Sequence, residues 1–214
     1  TYGCYAIAKF IEKSTGEVAT PLSTGPMTNG AQTSIRHAAA AAGLGEFGWM
    51  GIILTPEYGP RNRFGVILTT LELEPDSMYS GQRLCNPEKC GICAAVCPTG
   101  ALEEYGEGVG CRVKVGDREY NYTQVNWARC FLAEHAMTTR YGGRENFIDP
   151  NNTDPSMAEV GTAMAKMPPS EMGLQHHESH HCGKCLSYCP AGKWGEKFKK
   201  RGLTGGAAAI KFPE

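Results

Sequence analysis

Seven of the ten cysteines in this 214-residue chain fall in two short runs. The first is Cys85-x4-Cys90-x2-Cys93-x3-Cys97-Pro98, and the second is Cys182-x2-Cys185-x3-Cys189-Pro190. Disulfides would be the plain reading of so many cysteines in a small secreted protein. Here neighbouring thiols sit two or three residues apart on what reads as a helical turn. At that spacing they chelate metal far more readily than they bridge one another with good disulfide geometry. The runs therefore predict metal binding, in a reducing compartment or in a protein folded around its metal before it meets oxidant.

Both runs contain C-x2-C-x3-C-P. Zinc sites use C-x2-C pairs, but a third cysteine at x3 followed by proline is foreign to them. That ending is the one found in bacterial ferredoxin motifs, where the last cysteine ligates the other cluster. Cys97 is then expected to leave the cluster of Cys90 and Cys93, and Cys189 to cross back to it. Two four-iron, four-sulfur clusters need eight thiolates, and the runs supply seven. Cys4, Cys111 and Cys130 are the candidates for the eighth. Cys130, in the helical-looking "NWARCFLAEH", is taken to join Cys97, Cys182 and Cys185. The other set is then Cys85, Cys90, Cys93 and Cys189. The usual first motif would place its leading cysteine at position 87, which is Pro87. Cys85 reaches the cluster through a longer loop, Cys111 takes its place, or the cluster lacks a fourth protein thiolate. Unused cysteines read as small buried apolar residues.

The 22 acidic and 21 basic side chains leave a net charge of -1, which argues against a general nucleic-acid binder. No apolar run approaches a membrane span. The chain starts at Thr1, not methionine, so it reads as a fragment or trimmed chain on which an upstream export signal would be invisible. The expected compartment is the cytoplasm.

The chain divides near Glu74-Pro75-Asp76 into a region 1–75 and a region 76–214. "YGCYAIAKFIEKS" fits a strand or the start of a helix, and "TPLSTGPMTNG" a loop. "AQTSIRHAAAAAG" predicts a helix stopped at Gly43. "GIILT" (51–55) and "FGVILTTLEL" (64–73) predict strands, so that 1–75 forms an α/β layer. Alternation about Gly116-Asp117 predicts a hairpin, and residues 126–140 a helix. A further helix is predicted over 155–167, with Asp154 as cap and Pro155 in first position.

"GLGEFG" (43–48) fits G-x-G-x-x-G, but a dinucleotide fingerprint follows a strand and opens a helix. Here a helix precedes and a strand follows, so nicotinamide cofactor binding is not the reading. Glycines at such a junction permit close approach of packing neighbours or of a flat cofactor. His176, His177, His180 and His181 could ligate metal; the plainer reading, a polar loop before the second motif, is preferred. Tyr2, Tyr5, Tyr58, Arg61 and Arg63 offer phenols and cations for a redox site, although most tyrosines are packing residues. Lys197, Lys199, Lys200 and Arg201 read as a solvated basic tail.

"RHAAAAAGLGEFGWMGIILTPEYGPRNRFGVILTTLELEPD" followed by "LCNPEKCGICAAVCPTGAL", with the second motif at 182–190, resembles the cobalamin-dependent reductases, a family that includes reductive dehalogenases and epoxyqueuosine reductase. The resemblance implies an α+β fold, a partial nitroreductase-like α/β layer that cradles cobalamin followed by a ferredoxin-like module with two 4Fe–4S clusters. It implies that electrons pass through the clusters to cobalt, the protein positioning the cofactor and supplying a proton. It supports Cys130 as a ligand, because members carry a cysteine at the start of the helix after the first motif. By the same resemblance Gly43, Gly45, Gly48 and Tyr58 are expected against the cofactor, and Tyr2 with Arg63 as proton donor and cationic partner. Epoxyqueuosine reductases resemble "DTGP" where this chain has Ser23-Thr24-Gly25-Pro26, and "GWIGKN" where it has "GEFGWM". Both departures point to the dehalogenase-like branch, with an electron-donor protein of ferredoxin or flavodoxin type, a small-molecule substrate and no nucleic acid. The alternatives are a two-cluster electron carrier without catalysis and an RNA-modifying reductase.

Overall fold

The computed structural model describes residues 2–22, 34–167 and 182–193. The start of the chain is helical: α1 runs Tyr2–Thr15. Cys4, Ala8 and Ile11 turn inward at helical spacing, and Ala8 is fully buried. Ser14 and Thr15 bond back to the carbonyls of Phe10 and Ile11, and Gly16, at φ +79°, ends the helix. Strand β1 (Ala19–Pro21) follows and pairs antiparallel with β4 (Ile67–Thr69).

Helix α2 (Ile35–Ala41) leads through Gly43 into β2 (Glu46–Phe47), which pairs antiparallel with β3 (Ile53–Leu54). The predicted strand over 51–55 is thus only two residues long. The Gly48 N–H bonds the Ile52 carbonyl, and Gly51, at φ +73°, turns the chain. The predicted strand over 64–73 is likewise reduced to three residues. The Thr69 hydroxyl accepts the Leu71 N–H, a local turn that competes with the ladder. The described residues contain three two-stranded antiparallel sheets rather than a continuous layer. The third is the hairpin of β5 (Cys111–Val115) and β6 (Arg118–Tyr122), turning at Gly116 and Asp117 as the alternation predicts.

Helix α3 (Ile92–Ala95) carries the first cysteine motif and α6 (Lys184–Ser187) the second. Between them, α4 (Trp127–Glu134) starts at Asn126, whose side chain accepts the Arg129 N–H at 3.0 Å. It stops well short of residue 140. Ala136 adopts a left-handed conformation (φ 47°), and the Met137 N–H returns to the Leu132 carbonyl, closing the helix end. A 3-10 turn (Thr139–Tyr141) follows. Helix α5 (Met157–Lys166) begins two residues later than predicted. Its cap is Ser156, in a reciprocal pairing with Glu159, because Asp154 is engaged by Arg129 at 2.8 Å.

Three apolar clusters hold these elements. Ala39, Ala40, Phe47, Ile53 and Val115 form one, with Phe47 stacked on Tyr122 at 4.9 Å. Trp49, Met50, Leu54, Cys93 and Leu102 form the second, against which both cysteine motifs pack. Phe131, Leu132 and Met137 of the α4 region meet Val160 and Ala163 of α5 in the third. The first two clusters each draw residues from both sides of position 75. No helix among the described residues is long and apolar enough to cross a membrane.

Candidate metal centres

The two cysteine motifs fold alike. In each a glycine precedes a four-residue helix, Gly91 at φ -101° and Gly183 at φ -110°, and a cysteine sits in the helix, Cys93 in α3 and Cys185 in α6. The Gly91 carbonyl accepts the Ala95 N–H, and the Gly183 carbonyl those of Leu186 and Ser187. Cys97 and Cys189 then leave their helices at equivalent positions, each before a proline that cannot continue the turn. The two helices pack on each other.

Cys85 is held by β2 and the turn after it. The Glu46 carboxylate accepts the backbone N–H groups of Leu84 and Cys85, the latter at 3.2 Å. The Trp49 N–H donates to Cys85 Sγ at 3.3 Å. Trp49 itself is pinned by its indole N–H on the Glu103 carbonyl, 2.8 Å away. From Cys85 the chain turns at Asn86, whose carbonyl accepts the N–H of Cys90 at 3.0 Å. Cys97 Sγ accepts the Ala101 N–H at 3.2 Å.

The thiols that feel one another's charge sort into two sets. Burial pushes the Cys93 thiol up to about 12, reinforced by Cys85, Cys189 and Cys90. Cys85 is raised by burial and then by Cys189 and Cys90; Cys189 is raised by burial and by Cys90. In the second set burial pushes Cys130 up to about 12, with Glu134, Cys185, Cys97 and Cys182 adding to it. Cys185 is pushed up to about 11 by burial, Cys182 and Cys97. The chain crossings therefore put Cys189 beside Cys85, Cys90 and Cys93, and Cys97 beside Cys130, Cys182 and Cys185. All ten cysteines are free thiols. Cys4 lies against Gly65, and Cys111 beside Tyr122.

Among the described residues no three His, Cys, Asp or Glu side chains converge tightly enough to hold a single metal ion. A four-iron cluster makes a different demand: each thiolate takes a separate iron, so the sulfurs surround a body rather than a point. Buried thiols with two N–H groups aimed at sulfur suit that body chemically.

The second motif is fastened to the segment 55–62. The Arg61 guanidinium donates to the carbonyls of Cys189 at 2.6 Å, Ser187 at 2.9 Å and Ala191 at 3.3 Å. The Lys193 N–H donates to the Glu57 carbonyl at 2.9 Å. Gly59 and Gly192 face each other so closely that a Cβ on either would overlap the opposing backbone.

The remaining candidates are placed differently. A Cβ on Gly43 would overlap the Ser77 carbonyl, on Gly45 the Leu54 carbonyl, and on Gly48 the Leu54 side chain. The bare faces of these glycines meet the chain itself. Tyr58 is 43% exposed, with its N–H on the Thr55 hydroxyl. Tyr2 is 90% exposed on α1, and Arg63 donates to the Asn62 carbonyl. A cleft of about 530 Å³ opens on Cys85 between Trp49, Arg83, Tyr105 and Arg118. His176, His177, His180, His181 and the basic positions 197–201 lie outside the described residues, as does Ser23. The supports that spacing did not single out are Glu46 and Trp49. Their only sequence signal is that they lie in and just after "GLGEFG", a stretch whose glycines announce tight backbone contact.

No family model matches the chain. Over 66 residues it is 39% identical to a tetrachloroethene reductive dehalogenase of Desulfitobacterium hafniense, a stretch covering 30% of this chain and 12% of that protein. A tetrachloroethene reductive dehalogenase of Sulfurospirillum multivorans is 37% identical over 81 residues, covering 37% and 16%. An epoxyqueuosine reductase of Listeria monocytogenes is 40% identical over 70 residues, covering 33% and 17%. The matches thus span less than a fifth of each relative. A solved epoxyqueuosine reductase bound to a tRNA-Tyr stem loop aligns with 85% of this chain and 50% of its own, at 18% identity and a TM-score of 0.42, too low to carry an argument. The chain's relatives are reductases of these two kinds.

Proposed function

We propose that this chain is the iron–sulfur part of a dehalogenase-like reductase and holds two 4Fe–4S clusters, one on Cys85, Cys90, Cys93 and Cys189, the other on Cys97, Cys130, Cys182 and Cys185. The observation that carries this reading is the exchange of Cys97 and Cys189 between two motifs of the same local shape. Clusters of this type supply one-electron storage and transfer when bound. The chain's own part is to prepare their seats. Burial raises the thiols of Cys93, Cys130 and Cys185, so the proton each releases on ligating metal leaves at a greater cost than from an exposed thiol. The Trp49 and Ala101 N–H groups offset sulfur charge. Trp49, Met50, Leu54 and Leu102 exclude water from the site.

The corrinoid implied by the resemblance does not find its cradle in Gly43, Gly45 and Gly48, whose free faces are filled by the chain. A small-molecule substrate and a ferredoxin- or flavodoxin-type electron donor belong to the same proposal, with Tyr2 and Arg63 as proton donor and cation. A second reading, an electron carrier without catalysis of its own, is favoured by the filled faces of those three glycines.

Iron and sulfide analysis of anaerobically purified protein, offered cobalamin, tests both. About eight irons per chain follow from two clusters; about four would overturn the crossed assignment. Stoichiometric cobalt supports the reductase, and iron without cobalt the carrier. Cys97→Ala is expected to remove the paramagnetic signal of the Cys130 set and leave that of the Cys90 set. The reverse result would refute the pairing. RNA binding that weakens with salt would instead favour an RNA-modifying reductase.

A further inference from the structure

We propose that Arg61 is a positioning residue for the candidate cluster bound through Cys189, fixing the loop that carries that thiol and raising that cluster's reduction potential by its charge. The inference rests on the two-cluster reading above.

Three observations meet at Arg61. Its guanidinium spans three alternate residues of one short segment, donating to the carbonyls of Ser187, Cys189 and Ala191. These carbonyls bracket the cysteine that crosses between motifs, so the side chain sets where Cys189 Sγ can lie. The planar fork suits this task, since several donors are placed by one rigid group. Next, Arg61 is partly buried, and its contact with the Cys189 carbonyl at 2.6 Å holds the positive charge one residue's backbone away from that sulfur. Finally, its own backbone is locked. The Thr55 and Gly59 N–H groups bond each other's carbonyls, and Asn62 donates to the Thr55 hydroxyl at 2.6 Å. A charge on so fixed a stem cannot swing away from the site.

The consequence for redox chemistry is one of sign. Taking up one electron from a reductant makes a cluster one unit more negative, with no bond made or broken. A fixed cation beside one ligand stabilises the reduced form, and net charge near the cluster is one determinant of potential. The effect is assigned to the Cys189 set because the shortest of the three contacts is to the carbonyl of Cys189 itself. Glu46 braces Cys85 in the same set with the opposite charge, and Arg61 opposes it from the Cys189 side.

The test is a redox titration followed by electron paramagnetic resonance on the full chain, wild type beside Arg61→Gln and Arg61→Lys. The signal that survives in Cys97→Ala identifies the Cys189 set. Arg61→Gln is expected to move that signal to a more negative potential and leave the other unmoved. Arg61→Lys, which keeps the charge, is expected to stay near wild type. Unchanged potentials in Arg61→Gln, or equal shifts of both signals, would overturn the proposal. If Arg61→Gln binds only about four irons, those of the Cys97 set, while Arg61→Lys binds both clusters, the proposal stands. Loss of iron from both sets in both variants would overturn it, as the mark of a general folding role. Wild-type protein without two clusters would sink the two-cluster reading itself, before any variant is compared.

Discussion

At the scale of single residues, Gly59 and Gly192 show how little freedom the site allows. Gly59 is left-handed at φ +57°, and its missing Cβ is occupied by the Ala191 carbonyl. Gly108 has a comparable φ of +77° but open space around it. Alanine at either position costs about 1–2 kcal/mol for the left-handed backbone alone. Gly59→Ala should cost more, since backbone must move, and should lose iron from the Cys189 set. Gly108→Ala should cost the backbone term and keep its iron. Denaturation curves with iron counts on the two variants make the comparison; equal losses would show that the Gly59–Gly192 contact is unimportant. His37 gives a pH test. Its ring lies 5.2 Å from Phe47, and its pKa is lowered from 6.5, first by burial and then by Arg36. The unfolded chain therefore takes up the proton more readily than the folded one. Stability is complete above pH 6.5 and declines as pH falls through the lower folded value. His37→Gln should flatten this part of the pH–stability curve; an unchanged slope would assign the titration elsewhere.

At the scale of elements, α5 shows which local signals decide a helix start. Asp154-Pro155 has the composition of a cap and first turn, yet the helix begins after Ser156 because Arg129 draws Asp154 away. Ser156→Ala should cost about 1 kcal/mol, the usual worth of such a cap. Asp154→Ala should leave the helix start unchanged, which amide chemical shifts would show. The same contrast explains what could be read in the sequence. The β5–β6 hairpin was legible because its residues alternate about a glycine turn, and α4 because its apolar face repeats at helical spacing. Strands over 51–55 and 64–73 were not. Ile53 and Leu54 are both buried, so the apolar run reflects packing on two sides of a short turn rather than a long ladder. The points where the chain leaves the two motif helices were legible, since a proline follows Cys97 and Cys189; the assignment of Cys130 was not, because no spacing ties it to either run. The supports from Glu46 and Trp49 depend on how residue 46 meets residue 85 in space, and no local pattern records that.

At the scale of the whole molecule, the described chain is held in two different ways. The α4–α5 core is ordinary apolar packing, with Leu132, Met137 and Val160 fully buried and no cysteine among its buried residues. Leu132→Ala should cost about 2–5 kcal/mol there. The segment 182–193 contributes no fully buried residue and only packs partly buried side chains against the Trp49–Leu54 cluster. Its helix is four residues long, far below the length that is stable by itself. It is tied by packing on α3, by Arg61, by the Gly59–Gly192 contact and, on the proposal made here, by ligation through Cys182, Cys185 and Cys189. Taking the metal out should therefore act locally. After anaerobic chelation, amide exchange is expected to accelerate across 182–193 and in the loop 85–101, while α4 and α5 keep their protection. Cys130 does not contradict this, for the helix that carries it buries Ala128, Phe131 and Leu132 independently of any ligand. If α5 loses protection together with 182–193, the chain is instead one cooperative unit folded around its metal. If neither region changes, protein contacts alone hold the second motif, and iron has no part in keeping it in place.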